Sequence, residues 1–309
     1  MPYETYQPFK AITLKLVSVV AFTSMAAMVK ATADVVPTGE AVFFRSAFAM
    51  PVLFTWLWIS GSLRSGIKVK SPVGHVLRGL IGSSAMGMNF LALGLLPLPE
   101  VTAIGFAAPL LTVVFAALLL KERVGPFRLS MVLLGLVGVM IVLSPRMTLD
   151  TAADGAALGA VLVLCSAVAR ALAQIQIRRL VEIDNTTAIV FWFTVTTTGL
   201  SLLTAPFGWV MPDPISLGLL IGAGLLGGLG QILMTSAYRF AGAALVAPFD
   251  YSAIIMALGM GYFLFDEIPT VQMLIGSCVV IAAGGLIIWR EHRLGLRRGK
   301  ARSGMTPQG

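Results

Sequence analysis

Ten apolar blocks of membrane-spanning length constrain this chain more than any other feature of its 309 residues. They run over Ala11–Met28, Val42–Ser60, Val73–Leu95, Val101–Leu120, Leu129–Leu143, Ala156–Gln176, Thr187–Val210, Ile215–Ser236, Ala243–Phe265 and Val271–Trp289. Most approach the ~20 residues a helix needs to cross a hydrocarbon core of about 30 Å. The blocks are continuous, whereas the strands of a membrane barrel alternate apolar and polar residues. Charged residues make up 12% of the chain, too few to cover the surface of a soluble domain of this length. The expected fold class is an all-α membrane protein with ten transmembrane helices.

Charge placement tests that count. Put the N-terminus in the cytoplasm and let each helix reverse the side. Of the 22 Lys and Arg, only Lys30 and Arg146 then fall on outer connections, and Arg45 and Arg170 lie inside helices. All the others, including Lys10, Lys15, Arg64, Arg78, Arg123, Arg128, Arg178 and the tail from Arg290, fall on the inner side. Cytoplasmic loops carry such an excess of Lys and Arg, so both termini are expected inside. The outer connections carry acids instead, among them Asp34, Asp150, Asp154, Asp213, Asp266 and Glu267. The net charge of +8 is then a topology signal with a basic tail that can rest on anionic lipid, and nucleic acid is not expected as a partner. The first block is longer than a signal-peptide core, and its removal would reverse the charge bias, so it reads as an uncleaved helix. Cys165 and Cys278 sit singly in apolar segments and do not argue for a disulfide.

The chain also repeats itself. Around Leu98–Pro145 it runs through an apolar helix, a turn with Lys121-Glu122-Arg123, and a helix with Gly135 and Gly138. Around Ala243–Trp289 it does the same, with Asp266-Glu267-Ile268 and then Gly276 and Gly284. Setting Glu122 on Glu267 gives an offset of 145 residues. The expected units are residues 1–150 and 151–290, each of five helices, followed by a basic tail over 291–309. Five is odd, so the second half enters the membrane inverted. Inverted repeats place a substrate site at their interface.

These halves, their very short third-to-fourth helix connections (Leu95–Pro99 and Phe240–Ala244) and the Glu122 and Glu267 turns resemble the drug/metabolite transporter superfamily, EamA type. The resemblance spans roughly Phe9–Trp289 and, in size and layout, is nearest to bacterial aromatic amino acid exporters of the YddG type. It implies a bacterial inner-membrane carrier working by alternating access. It also implies a central cavity lined by the first, third, fourth, sixth, eighth and ninth helices. Importers of riboflavin or S-adenosylmethionine share the fold. The two glutamate turns are structural in that family.

A charge inside an apolar helix is costly and marks a functional position by default. Arg170 and Asp250 lie at similar depth in the sixth and ninth helices, where they either pair with each other or hold the two ends of a zwitterion. Ser166, Arg170, Gln174 and Arg178 form a stripe at every fourth residue, and Gln231, Thr235 and Tyr238 share one face of the eighth helix. Such stripes read as a wet cavity or as interhelical hydrogen bonding. The expected substrate-binding residues are Asn89, Phe106, Arg170, Gln174, Gln231, Tyr238, Asp250 and Tyr251. Trp192 is a further candidate for an aromatic wall. Glu100 reads as a helix cap, and Arg45 as snorkelling outward. No catalytic residue, metal site or cofactor is expected. A phosphate-binding loop, a nucleophile elbow and zinc-ligand spacing are all missing from the sequence. Export of amino acids is the leading expectation, import of a vitamin or nucleoside-like metabolite the second, and a membrane-embedded enzyme a distant third. Nothing in the sequence specifies an oligomer.

Overall fold

The computed structural model describes residues 7–59, 61, 67–122, 124–146, 155–240 and 243–303. Arg64, Arg123, Asp150 and Asp154 lie outside them. Nearly all described residues are helical, and no strand occurs among them. We label the helices α1 (Pro8–Ala31), α2 (Thr38–Ile59), α3 (Pro72–Leu95), α4a (Leu98–Gly105), α4b (Ala107–Leu119) and α5 (Pro126–Leu143). The second half has α6 (Ala156–Leu180), α7 (Thr186–Leu202), α8 (Pro214–Phe240), α9a (Ala243–Val246), α9b (Ser252–Phe265) and α10 (Val271–Ser303). Nine spans among the described residues have the length and apolarity to cross a membrane, counting Leu98–Leu119 as one, and Thr187–Leu202 is apolar but shorter. Proline opens α1, α3, α5 and α8, where its missing N–H costs nothing because the first-turn donors have no intrahelical acceptor.

Proline also explains where three helices depart from the expected boundaries. The fourth is broken at Phe106, three residues before Pro109, which cannot donate to the carbonyl of Gly105. The ninth is interrupted by a tighter 3-10 turn over Ala247–Tyr251, which contains Pro248. The seventh was expected to reach Val210 but stops at Leu202. There Pro206 lies in a short turn, and Gly208 takes a left-handed φ of +93° that a helix cannot contain. In contrast α10 runs past Trp289 to Ser303, because its basic continuation holds good helix formers.

The packing interlocks the two halves. Helix α1 lies against α8, and its repeat counterpart α6 lies against α3. Likewise α2 packs on α8 as α7 packs on α3, and α4b on α6 as α9b on α1. The pairs α2–α7, α4a–α9b and α5–α10 join each helix to its own counterpart. Neither half therefore completes its packing alone. Small residues permit the close crossings. A Cβ on Gly224 would meet the Phe48 Cβ at 2.5 Å and the Phe44 carbonyl oxygen at 2.9 Å, so α8 sits backbone-close on α2. On the α5–α10 crossing, a Cβ on Gly276 would meet the Gly138 carbonyl oxygen and Val142 Cγ2, each at 2.5 Å.

At the α6–α7 end, Asp184 ties the connection to the start of α3. Its carboxylate accepts the N–H groups of Lys70 at 2.7 Å and Ser71 at 3.4 Å, and lies 2.9 Å from His75 Nε2. Burial pushes this carboxyl up, but the two N–H donors and the imidazole outweigh it and hold it below the usual aspartate range.

Two outcomes follow. Gly276→Val must force α5 and α10 apart against backbone, and should cost about 1–3 kcal/mol with a lowered Tm in detergent. Gly285→Ala, whose Cβ meets nothing within 4 Å, should leave Tm unchanged. Asp184→Asn should lower stability at neutral pH. Because the folded carboxyl titrates below its unfolded value, its contribution is complete above about pH 4 and is lost as pH falls further. The gap between wild type and Asp184→Asn should therefore narrow in pH-dependent melting only below about pH 4.

Candidate functional site

The break in α4 is where the site begins. With Pro109 unable to donate, the Gly105 carbonyl has lost its helical partner, and Arg170 Nη2 on α6 donates to it at 3.3 Å. One residue on, the Phe106 ring stacks on Tyr251, with centroids 4.8 Å apart and planes 24° from parallel. Tyr251 closes the 3-10 turn of the ninth span, so the two aromatics sit at the two helix breaks. They are also separated by the 145-residue repeat offset, which makes them counterparts in the two halves.

Around this pair lies a cavity of about 480 Å³, lined by Asn89, Thr102, Phe106, Arg170, Asp250 and Tyr251 among others. That is within the usual range for a small-molecule site. A second cavity adjoins it through Met25, Asn89 and Arg170, and adds Arg45, Arg78, Gln174 and Phe193. A third shares Arg45, Arg78, Gln174 and Phe193 with the second and extends to Gln231 and Thr235 on α8. Asn89, Phe106, Arg170, Gln174, Gln231, Asp250 and Tyr251 thus all line one run of adjoining spaces. The side chain of Tyr238 lies outside the described residues. Helices α2 and α7 contribute lining residues too, which the expected set of six helices did not include.

Several expectations change at close range. Asp250 does not pair with Arg170. Its Oδ1 lies 2.6 Å from Lys15 Nζ, and the lysine side chain is 1% exposed while that of Asp250 is 41% exposed toward the cavity. Lys15 and Arg78 were counted with the inner loops, but both lie inside helices, α1 and α3. A lysine within an apolar block was the signal available for Lys15. Arg45 does not snorkel outward: it is 7% exposed, lines two of the cavities and lies against Gly227 of α8. Trp192 faces away, donating to the Ile67 carbonyl at 2.9 Å, while its neighbour Phe193 stacks under the Arg78 guanidinium at 4.1 Å. The α6 stripe divides: Arg170 and Gln174 face the cavities, but Ser166 is buried and donates to the Ala85 carbonyl at 2.8 Å. Arg178 reaches Glu122 at 3.1 Å.

Beyond the cavity, the Leu98 end of the bundle is closed by half-buried ion pairs. Lys30 lies 2.9 Å from Glu267 Oε1 and donates to the carbonyls of Leu93 at 3.0 Å and Leu96 at 2.8 Å. Glu267 Oε2 accepts the Leu98 N–H at 2.9 Å, so one knot joins α1, α3, α4a and the turn after α9b. Glu100 stands in the first turn of α4a, where an acid suits the helix dipole, and also takes Arg146 in a two-pronged contact at 2.9 and 3.0 Å. Lys30 and Arg146, the two cations that the charge bias left outside, are each the partner of an acid there.

The EamA-like transporter family model matches residues 9–144 and 157–289, one match in each half. The chain is 27% identical to the pseudopaline exporter CntI of Pseudomonas aeruginosa over 88% of its own length and 93% of that protein. It is 26% identical to an S-adenosylmethionine uptake transporter of Rickettsia prowazekii, over 82% of this chain and 84% of the other. A crystal structure at 20% identity superposes with a TM-score of 0.64, covering 91% of this chain and 98% of that one, and shares the fold. The chain belongs to the EamA-like transporter family, and is a multi-pass membrane transporter of small molecules.

Proposed function

We propose that the protein is a gradient-driven carrier in a bacterial inner membrane, with both termini cytoplasmic, that exports amino acids or related carboxylate-bearing metabolites by alternating access. The observation that carries this reading is Arg170, a guanidinium inside the membrane that faces the cavity between the two halves and meets only a backbone carbonyl. Its planar fork matches a carboxylate in two-pronged geometry. Asn89 offers further hydrogen bonds, and the Phe106–Tyr251 pair offers an apolar ring face. The substrate-binding set is Asn89, Phe106, Arg170, Gln174, Gln231, Asp250 and Tyr251, with Tyr238 as an expected member. Asp250, already engaged by Lys15, takes a substrate ammonium or a coupling proton by exchange with that lysine. The two repeats span residues 1–150 and 151–290, with a basic tail over 291–309, and rock about the packed glycine crossings. The Lys30–Glu267 and Arg146–Glu100 pairs form the outer gate. Uptake of a nucleoside-like metabolite is the second reading, favoured by the S-adenosylmethionine relative. Counterflow in proteoliposomes against a metabolite panel separates the two.

Three measurements test the parts. Arg170→Lys keeps the charge and loses the fork, so transport should fall at least about tenfold at normal folded yield. Wild-type rates would remove Arg170 from the site. Lys15→Met leaves a bare carboxylate and should reduce folded yield, whereas Lys15→Met with Asp250→Asn should recover it, since removing both partners is far milder than removing one. At the gate, Glu267→Gln weakens the Lys30 knot by about 1–2 kcal/mol, a roughly 5–30-fold shift in population. A cysteine at Asn89, in a chain lacking Cys165 and Cys278, should then label faster with an impermeant thiol reagent added from outside. Unchanged labelling would mean the knot is not a gate.

A further inference from the structure

Three arginines, Arg45 on α2, Arg78 on α3 and Arg170 on α6, line one cavity of about 320 Å³ with Asn89 and Gln174, and no acidic residue lines it. Arg45 is 7% exposed, and its Nε has no hydrogen-bond partner. Arg78 Nε and Nη1 are also buried and unbonded among the described residues, and the guanidinium lies over the Phe193 ring at 4.1 Å. Arg45 and Arg78 also share the lining of the adjoining cavity toward α8. Acids elsewhere are already committed: Asp250 to Lys15, Glu100 to Arg146, Glu122 to Arg178 and Glu267 to Lys30.

An apolar wall does not hold three like charges together for packing. Arginine inside an apolar span faces the bundle interior or a wet cavity and needs a partner, which Arg170 finds in part in the Gly105 carbonyl and which Arg45 Nε and Arg78 Nε and Nη1 lack among the described residues. One carboxylate occupies one guanidinium fork, and here Arg45 lies against Gly227 and Arg78 against Gly82 and Phe193, while Arg170 also lines the adjoining cavity of the aromatic pair. Resting on the carrier function proposed above, we infer that the transported solute bears at least two acid groups, carboxylates or a phosphate, one held by Arg45 and Arg78 and another by Arg170. The adjoining Phe106–Tyr251 face takes its apolar portion. A simple aromatic amino acid has one acid group and leaves the Arg45–Arg78 end unmatched.

The test uses the full-length protein, in proteoliposomes and in detergent. Counterflow is measured with glutamate and citrate as oligocarboxylates, 3-phosphoglycerate as a phosphate ester that also bears a carboxylate, and phenylalanine and lysine as comparators. The expected result is counterflow of an oligoanion over phenylalanine and lysine. Whether carboxylates or the phosphate ester lead tells the two acid chemistries apart. Arg45→Gln and Arg78→Gln should each weaken that solute's apparent affinity at least about tenfold, the loss of one charged two-pronged contact. A second readout needs no transport. Without solute the arginines repel, so Arg45→Met and Arg78→Met should melt no lower than wild type. Phenylalanine moving as well as any oligoanion, or oligoanion affinity unmoved in both Gln variants, would overturn the inference and leave the carrier function standing. A Tm loss of several degrees in both Met variants would overturn it too, as the mark of a structural role. If no solute on the panel or among cell metabolites exchanges at all, the carrier function itself falls, and the inference with it.

Discussion

A backbone carbonyl in lipid has no water to turn to, and every feature of this protein follows from how that demand is met. Over most of the chain it is met by unbroken helices. Where Pro109 removes an N–H, the Gly105 carbonyl is released within the span Leu98–Leu119, and Arg170 of the other half donates to it. The second break, around Pro248, sets Asp250 and Tyr251 on a tighter turn beside the first. Irregular backbone at membrane depth is confined to places that line a cavity or are covered by protein. In this chain the two breaks, the aromatic stack and the cavity coincide.

Charge is distributed by the same logic. Moving an ion out of water costs several kcal/mol unless a partner replaces the hydration. Four described acids in or near the spans have one: Asp250 has Lys15, Glu267 has Lys30, Glu100 has Arg146, and buried Glu40 accepts the Val210 N–H at 3.1 Å. The cations outnumber these acids inside the bundle, and the surplus is concentrated on the walls of the cavity between the halves. The Lys30–Glu267 and Arg146–Glu100 pairs lie away from the cation-lined cavity, whereas the Lys15–Asp250 pair borders the adjoining one. The pairs join helices, and Arg45, Arg78 and Arg170 face open space.

The interlocked packing gives these charges their mechanical meaning. Since α1 packs with α8 and α6 with α3, the carrier motion proposed above would move one helix pair against the other and reshape the cavity between them. Backbone-close glycine crossings on α5–α10 and α2–α8 offer smooth surfaces for such motion. The Lys30–Glu267 knot joins helices from both halves through one ion pair and three hydrogen bonds to backbone.

The sequence by itself determined that the chain crosses the membrane about ten times as two related halves. Hydrophobic length and charge bias are properties of the local chain, and lipid leaves the backbone few alternatives to helix. It also picked out Arg170, Gln174, Asn89, Phe106 and Tyr251, because polar or ring-bearing residues at membrane depth stand out against an apolar background. Partnership was another matter. Depth along a helix is legible from residue number, but azimuth and neighbour are not, so Arg170 and Asp250 read as a plausible pair when Lys15 was the true partner of Asp250. Arg45, placed near an outer end, and Arg78, counted with the inner loops, met only after α2, α3 and α6 had packed around one space. The tertiary structure alone decided which charges cancel and which remain facing the cavity, because that depends on helix rotation and on the crossings that glycine and proline permit.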